Sequence, residues 1–199
     1  MGCKKIGEIL CAPCLSSSPR ANQPSDHFIF AIFDYNHPPI KKSIWKFKYG
    51  NIKNIAKPFG IELYNRIFAD LSESLSASSQ EKILLIPIPL HASRLRERGF
   101  NQSELLAQEI MKNDTSGIFE LSTKLLKRTH PTPPQARRER RKERLKNLRG
   151  AFHADTELTR GRAIVLIDDV STTGATMAEA RKSLLAAKAR SVVCYAVAH

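Results

Sequence analysis

The chain has 199 residues, 42% of them hydrophobic, and a formal net charge of +13. That apolar fraction supports one sizeable α/β core with a small appendage and excludes two full domains. No apolar run approaches the roughly 20 residues that span a bilayer, and the amino terminus lacks the apolar segment of an export signal. The sequence therefore predicts a cytoplasmic protein without membrane insertion, and its excess of cations favours anionic partners: phosphorylated small molecules, nucleic acid or an acidic protein surface.

Residues 1–26, rich in Ser, Pro and Asn, read as a cysteine-bearing extension and linker ahead of one domain over 27–199. Cys11-Ala12-Pro13-Cys14 has the spacing of half a zinc knuckle, in which two thiolates of one tight turn take two corners of a tetrahedron. Cys3 and the distant His27 are the available completing ligands, so Zn²⁺ lacks a full ligand set, and a cytoplasmic setting disfavours a disulfide.

Residues 28–35 follow as a strand. After Pro38-Pro39, the spacing of Ile40, Ile44 and Phe47 predicts a helix that turns Lys41, Lys42, Lys46 and Lys48 outward. Trp45, Phe47 and Tyr49 read as core packing. A longer helical pattern runs over 52–75, with Pro58 marking a kink or a restart. A second buried strand lies within 81–89, and Asn101-Gln102-Ser103-Glu104 resembles a capping box before the helix that carries Leu105, Leu106 and Ile110. A short strand is expected near 121–126. The composition then shifts to a proline-braked loop over 128–135 and an intensely basic run over 136–149 that includes Arg137 and Arg138. The apolar run from Ala163 predicts a strand, Met177, Ala180, Leu184 and Leu185 keep helical spacing, and residues 191–197 supply a last strand with Cys194 as a small core residue. Strands alternating with helices imply a mostly parallel sheet wound by right-handed crossovers. Ligands of such sheets bind at the carboxyl ends of strands, where the loops 87–101 and 168–176 both emerge.

The strand beginning at Ala163 ends in Asp168-Asp169 and passes at once into Val170-Ser171-Thr172-Thr173-Gly174-Ala175-Thr176, a small, hydroxyl-rich turn that opens a helix. Backbone N–H groups freed at a helix N-terminus favour a phosphate, and hydroxyls add donors around it. Two carboxylates would repel a phosphate placed on them. They suit the vicinal hydroxyls of a ribose whose 5′-phosphate sits in the turn.

This segment resembles the PRPP-binding motif of type I phosphoribosyltransferases: an apolar strand, an acidic pair, a spacer and a Thr-Thr-Gly turn. The resemblance implies that Asp168 and Asp169 hold the ribose hydroxyls and that residues 170–176 hold the 5′-phosphate. The segment His91-Ala92-Ser93-Arg94-Leu95-Arg96-Glu97-Arg98-Gly99-Phe100-Asn101-Gln102 leaves a strand end with three arginines, and guanidinium groups make bidentate contacts with phosphate. Placed before the next helix, these arginines oppose its macrodipole, which favours a ligand role over a structural one.

Several further segments resemble the ComF/GntX family of phosphoribosyltransferase-like proteins: Phe33-Asp34-Tyr35, Ile44-Trp45-Lys46-Phe47-Lys48-Tyr49-Gly50, Pro87-Ile88-Pro89-Leu90-His91 with the arginine segment, Thr132-Pro133-Pro134-Gln135, and residues 144–152. The match covers nearly all of the chain after about residue 28. Residues 128–150 are also similar to the closing loop of amidophosphoribosyltransferases. The resemblance implies a type I phosphoribosyltransferase fold that binds PRPP with Mg²⁺ and transfers its phosphoribosyl group to an unidentified acceptor. Asp168, Asp169, Arg96 and Arg98 are the implied catalytic residues, and His91, Arg94, Arg96, Arg98, Asn101, Gln102, Arg137 and Arg138 the implied pyrophosphate contacts. ComF relatives are associated with uptake of single-stranded DNA beside a helicase partner. This leaves two other readings: a single-stranded DNA-binding accessory factor that uses the basic run with Trp45, Phe47 and Tyr49, or a non-catalytic PRPP sensor. Family members begin with a four-cysteine zinc knuckle of which Cys11 and Cys14 match the second pair, so upstream coding sequence is expected to be missing.

Overall fold

The computed structural model describes residues 10–23, 26–72, 81–129 and 148–199. Cys3 and the basic residues Arg137 and Arg138 lie outside the described residues. In chain order the elements are α1 (Ala12–Ser16), β1 (Ile29–Phe33), α2 (Pro38–Tyr49), a 3₁₀ turn (Lys53–Ile55), α3 (Ala56–Ser72), β2 (Ile83–Pro87), α4 (Ala92–Arg98) and α5 (Gln102–Asn113). They continue with β3 (Phe119–Leu121), β4 (Leu126–Arg128), β5 (Phe152–Ala154), α6 (Thr156–Thr159), β6 (Ala163–Val170), α7 (Ala175–Ala186) and β7 (Ser191–Ala198).

The main sheet has the order β1-β7-β6-β2-β3, and every neighbouring pair in it is parallel. Its strands are apolar on both faces, because side chains alternate with period two and each face is covered. In β2, Ile83 and Leu85 join one core while Leu84 and Ile86 join the other; β6 divides Val165 and Ile167 from Ile164 and Leu166 in the same way. The first core is closed by α2, α3 and α5 through Ile44, Phe47, Phe59, Leu63, Ile67, Leu106 and Ile110. The second is closed by Met177, Ala180 and Leu184 of α7 and by the antiparallel ribbon β4–β5. This is the mostly parallel, helix-flanked sheet expected of a type I phosphoribosyltransferase fold.

The amino-terminal segment packs onto this body. Leu10 and Leu15 enter the first core and Ala21 the second, while the Ala21 N–H donates to the Ile32 carbonyl at 3.0 Å. Three local expectations change. The helical pattern from 52 begins as a 3₁₀ turn and restarts at Ala56, which leaves Pro58 within a first turn whose N–H groups have no intrahelical acceptor. The single strand expected over 121–126 is two: β3 ends at Leu121 in the main sheet, and β4 begins at Leu126 in the ribbon. Trp45 and Tyr49, expected in the core, are 59% and 55% exposed, whereas Phe47 is buried as expected. On a 3.6-residue period Phe47 falls three residues after the buried Ile44, while Trp45 and Tyr49 fall four apart on the other side.

β2 and β6 are neighbours, and from them the chain winds in opposite directions: β2 leads outward to β3 and β6 to β7. The intervening α5 and α7 cover opposite faces. The crevice between the carboxyl ends of β2 and β6 is thus a topological switch point, the place where open α/β sheets take ligands.

α3 and α5 approach closely at Gly60, where an added Cβ would lie 2.4 Å from Glu109 Cβ. An exposed Gly→Ala change inside a helix stabilises by about 1 kcal/mol, but overpacking costs about 1–3 kcal/mol, and a Cβ fixed to the helix backbone has no rotamer with which to yield. Gly60→Ala is expected to lower the urea midpoint at unchanged slope. A raised midpoint would show that the two helices separate freely.

Candidate functional site

β6 runs further than its apolar run suggests, carrying Asp168, Asp169 and Val170 inside the ladder with Val170 opposite Ala198 of β7. The acidic pair is therefore held by sheet backbone, not by a loop. Both carboxylates are taken up by neighbours. Asp168 Oδ1 accepts the Ser103 hydroxyl at 2.9 Å and the Asp169 N–H at 2.8 Å. Asp169, 6% exposed, accepts the Lys48 ammonium on Oδ1 at 2.9 Å. Burial, then the adjacent Asp169 charge, pushes Asp168 up to about 6, against the opposing pull of Lys48 and the Ser103 hydrogen bond. Burial works against the charge of Lys48, but Asp169 by charge and hydrogen bond, with Asp168, outweighs it and holds the ammonium above its ordinary range.

The turn after β6 has the opposite character. Gly174 caps α7 at φ +72°, and a Cβ there would meet Asp26 Oδ2 and Ile29 Cδ1, each at 2.9 Å, so only glycine fits without displacement. The first turn of α7 carries no acidic residue and its N-terminus no side-chain cap, which leaves the freed N–H groups facing a small hollow lined by residues 170–177 and Asp168. Ser171 is 4% exposed, and its Oγ has no hydrogen-bond partner among the described residues. Its backbone is pinned: the N–H donates to the Ala198 carbonyl at 2.9 Å, and the carbonyl accepts His199 Nδ1 at 2.6 Å.

A larger cleft joins hollow and acidic pair. Thr172, Thr173, Ala175 and Thr176 line it from the turn, Ile88, Leu90, Arg94 and Arg98 from the segment after β2, Gln102 and Ser103 from α5, Lys48 from α2, and Arg128 from β4. Burial and then the neighbouring Arg94 disfavour the charge of Arg128. The wall is a group of cations held close together, a surface complementary to an anion.

Of the residues the sequence singles out, Asp168, Asp169, Val170 and the turn residues come together with Arg94, Arg98 and Gln102. Arg96 does not join them. It is exposed, because two positions along α4 from Arg94 and Arg98 points away from the face those two share. His91 caps α4, accepting the Ser93 N–H on Nδ1 at 3.3 Å, and Asn101 caps α5 while its amide donates to the Ile88 carbonyl at 3.0 Å. Both shape the loop without lining the cleft. The expected dipole conflict also disappears. The arginines lie on α4, whose last turn holds Arg96 and Arg98, and there the macrodipole favours them.

Gln102 is 1% exposed, donating to the Phe47 carbonyl at 3.2 Å and accepting Arg98 Nη1 at 3.0 Å, so it ties α2, α4 and α5 at the cleft wall. Lys48, Ser103 and Arg128 were not legible as site residues. Lys48, expected outward, turns in because it borders the apolar stripe next to Phe47, and Ser103 sits inside the capping segment; Arg128 opens the segment read as a closing loop, but nothing local singles it out from the other cations there. Cys11 is buried and Cys14 half-buried, and no group of three or more His, Cys, Asp or Glu gathers to hold a metal among the described residues. Nor is any helix among them long and apolar enough to cross a membrane.

No protein-family model matches the chain. Curated proteins do. The chain is 30% identical over 175 residues to the DNA utilization protein YhgH of Escherichia coli O157:H7, a match covering 88% of this chain and 71% of that protein. The chain belongs to the ComF family. It is also 29% identical over 156 residues to the competence protein ComFC of Bacillus subtilis, and 28% identical over 176 residues to competence protein F of Haemophilus influenzae. These matches cover 78% and 87% of this ComF-family chain, which spans 57% of the length of the Bacillus protein and 71% of the Haemophilus protein. Among solved structures it is similar to a hypoxanthine phosphoribosyl transferase of Trypanosoma cruzi, at 12% identity and a TM-score of 0.45, over 72% of this chain and 64% of that one. That likeness is too distant to carry the assignment.

The electrostatics of the acidic pair have a measurable consequence for the unliganded protein. The value of about 6 for Asp168 lies above its ordinary 3.8, so this group favours the native state fully below about 3.8 and loses that contribution as pH rises through 6. At neutral pH the buried charge is a net burden. Asp168→Asn keeps an acceptor for Ser103 and removes the charge, so the melting temperature is expected to rise at pH 7.5, by about 2–4 °C for each kcal/mol relieved. At pH 5 the difference should shrink. An unchanged or lower melting temperature at pH 7.5 would show that the pair is fully compensated by Lys48.

Proposed function

We propose that this ComF-family protein binds PRPP together with Mg²⁺ and transfers its phosphoribosyl group to a nucleophilic acceptor. The observation that carries the reading is the buried Ser171 hydroxyl, unpartnered among the described residues, in a turn at an uncapped helix N-terminus, one short step along the chain from the half-buried Asp168 and the buried Asp169. A ligand that satisfies both must present a phosphate and, about a ribose length away, vicinal hydroxyls. The turn takes the 5′-phosphate through the N–H groups of α7 and the hydroxyls of Ser171, Thr173 and Thr176. Asp168 and Asp169 accept the ribose hydroxyls and fix the ring beneath the cleft.

A divalent cation suits this donor set. Mg²⁺ is commonly held by one or two carboxylates together with ligand phosphates and water, and the floor of the cleft supplies two carboxylates. When bound with PRPP it supplies charge neutralisation of the leaving pyrophosphate. Arg94 and Arg98 add to that neutralisation from the wall, and the two carboxylates below the ring stabilise the oxocarbenium character that C1 acquires as the C1–O bond breaks. Positioning and electrostatics account for the chemistry, and no covalent nucleophile is required.

PRPP with Mg²⁺ at about one hundred times its dissociation constant should stabilise the native protein by roughly 2.7 kcal/mol, which for this size of domain is a melting shift of about 5–10 °C. Changing Asp168 and Asp169 together to Asn should remove most of the shift while the unliganded protein stays folded. A full shift in that double variant would assign the acidic pair to another task.

A second reading rests on a separate observation. Trp45 and Tyr49 are exposed with ring centroids 5.8 Å apart, flanked by the exposed Lys41 and Lys42, and Arg98 lies 5.3 Å over the Tyr49 ring at the edge of the cleft. Exposed aromatics among cations are the elements of a single-strand stacking platform, and each stacked base contributes about 1–3 kcal/mol. The relatives' names, competence and DNA utilization proteins, agree with this reading of α2. Trp45 is the only tryptophan. Its fluorescence is expected to quench on titration with single-stranded DNA, and Trp45→Ala should weaken binding at least about fivefold while leaving the PRPP melting shift intact. Binding without quenching, unaltered by the substitution, would move the platform elsewhere.

A further inference from the structure

Lys48 differs from the other cations of the cleft. Arg94 and Arg98 stand on the wall, whereas the Lys48 ammonium reaches to the floor and holds Asp169 Oδ1 at 2.9 Å, with the two side chains 20% and 9% exposed. It does so from a helix whose Lys41 and Lys42 stay in solvent. Lysine suits a contact that must change hands: it is a compact charge on a flexible four-carbon stem, without the rigid fork that locks an arginine onto one carboxylate. While it remains, the Asp168–Asp169 pair offers an incoming divalent cation one uncompensated negative charge instead of two. Hard divalent cations bind in proportion to the anionic oxygen charge a site presents.

We propose that Lys48 is a resident counter-ion that competes with a divalent cation for Asp169, and that the anionic ligand draws Lys48 away onto its phosphate oxygens. Metal then enters with the ligand and not before it. No bond is made or broken in this exchange: the ammonium gives up one anionic partner for another, and the cation takes the vacated carboxylate. Because the coupling is thermodynamic it is reciprocal, so the metal strengthens the phosphate ligand by the factor by which that ligand strengthens the metal. The identity of the ligand rests on the ribose-phosphate reading above; the competition between Lys48 and the metal rests on the ion pair alone.

Mn²⁺, followed by the loss of its free-ion EPR signal, is the probe. With the full chain and no other ligand, Lys48→Met is expected to bind Mn²⁺ at least tenfold more tightly than the unsubstituted protein, and adding Asp169→Asn to Lys48→Met should abolish the gain. Lys48→Gln, which keeps a hydrogen-bond donor for Asp169 but no charge, should show the same direction of change if Lys48→Met fails to fold. Ribose 5-phosphate, a weak chelator, should raise the Mn²⁺ affinity of the unsubstituted protein several-fold and that of the Lys48 variants much less. Equal Mn²⁺ affinity with and without the lysine would overturn the proposal. A tighter Lys48 variant combined with no response to ribose 5-phosphate in either protein would support the resident counter-ion and overturn both the handover and the ribose-phosphate reading.

Discussion

Two adjacent carboxylates at the carboxyl end of a central parallel strand, Asp168 half-buried and Asp169 buried, set the terms for the rest of this structure. An isolated charge at such depth costs several kcal/mol, and two neighbouring like charges cost more. Each is therefore met by a group from another element: Asp169 by Lys48 of α2, and Asp168 by Ser103 of α5 and by a backbone N–H. The apolar stripes of α2 and α5 seat both helices over the same face of the sheet, and that placement brings Lys48 and Ser103 to the acidic pair. Gln102, buried and bonded to both the Phe47 carbonyl and Arg98, fixes the register between those helices at the point where the compensation is needed.

The compensation is incomplete, since Asp168 still sits about two pH units above its ordinary value. A fold selected for stability alone would place Asn or an apolar residue there. Retaining the charge is sensible where a ligand completes the site. The same argument holds across the cleft with the signs reversed. The α7 N-terminus has no acidic residue in its first turn, Ser171 has a buried hydroxyl without a hydrogen-bond partner among the described residues, and burial, with Arg94 nearby, disfavours the charge of Arg128. Negative floor, positive wall and open donors in the turn are each unfavourable alone. A sugar phosphate that is also a polyanion, the ligand proposed above, would relieve all three.

Much of this was legible in the sequence because it depends on short-range order. The strand, acidic pair, hydroxyl turn and helix lie within one stretch of chain, and their spacing alone places the carboxylates beside the helix N-terminus. The Asn101 cap was legible for the same reason. The arginine segment was read only in part: its cleft-facing members, Arg94 and Arg98, emerge once the segment is seen to be a helix of its own, since an i, i+4 pair shares a face that Arg96 leaves. Misplacing that helix also inverted the dipole argument.

By itself, then, the sequence determined the two-faced parallel sheet, through strands with apolar residues on both faces, and the turn from the acidic pair into the helix, through local backbone chemistry that no distant contact alters. Only the tertiary structure decided which cation neutralises the acids and which aromatics stay in solvent. Lys48 and Trp45 lie three residues apart on one amphipathic helix, and the side to which each falls depends on how far α2 is rotated against the sheet. That rotation is set by Ile44 and Phe47 packing among α3, α5 and the strand ends. It is a sum over contacts between segments far apart in the chain, and no local pattern of residues records it.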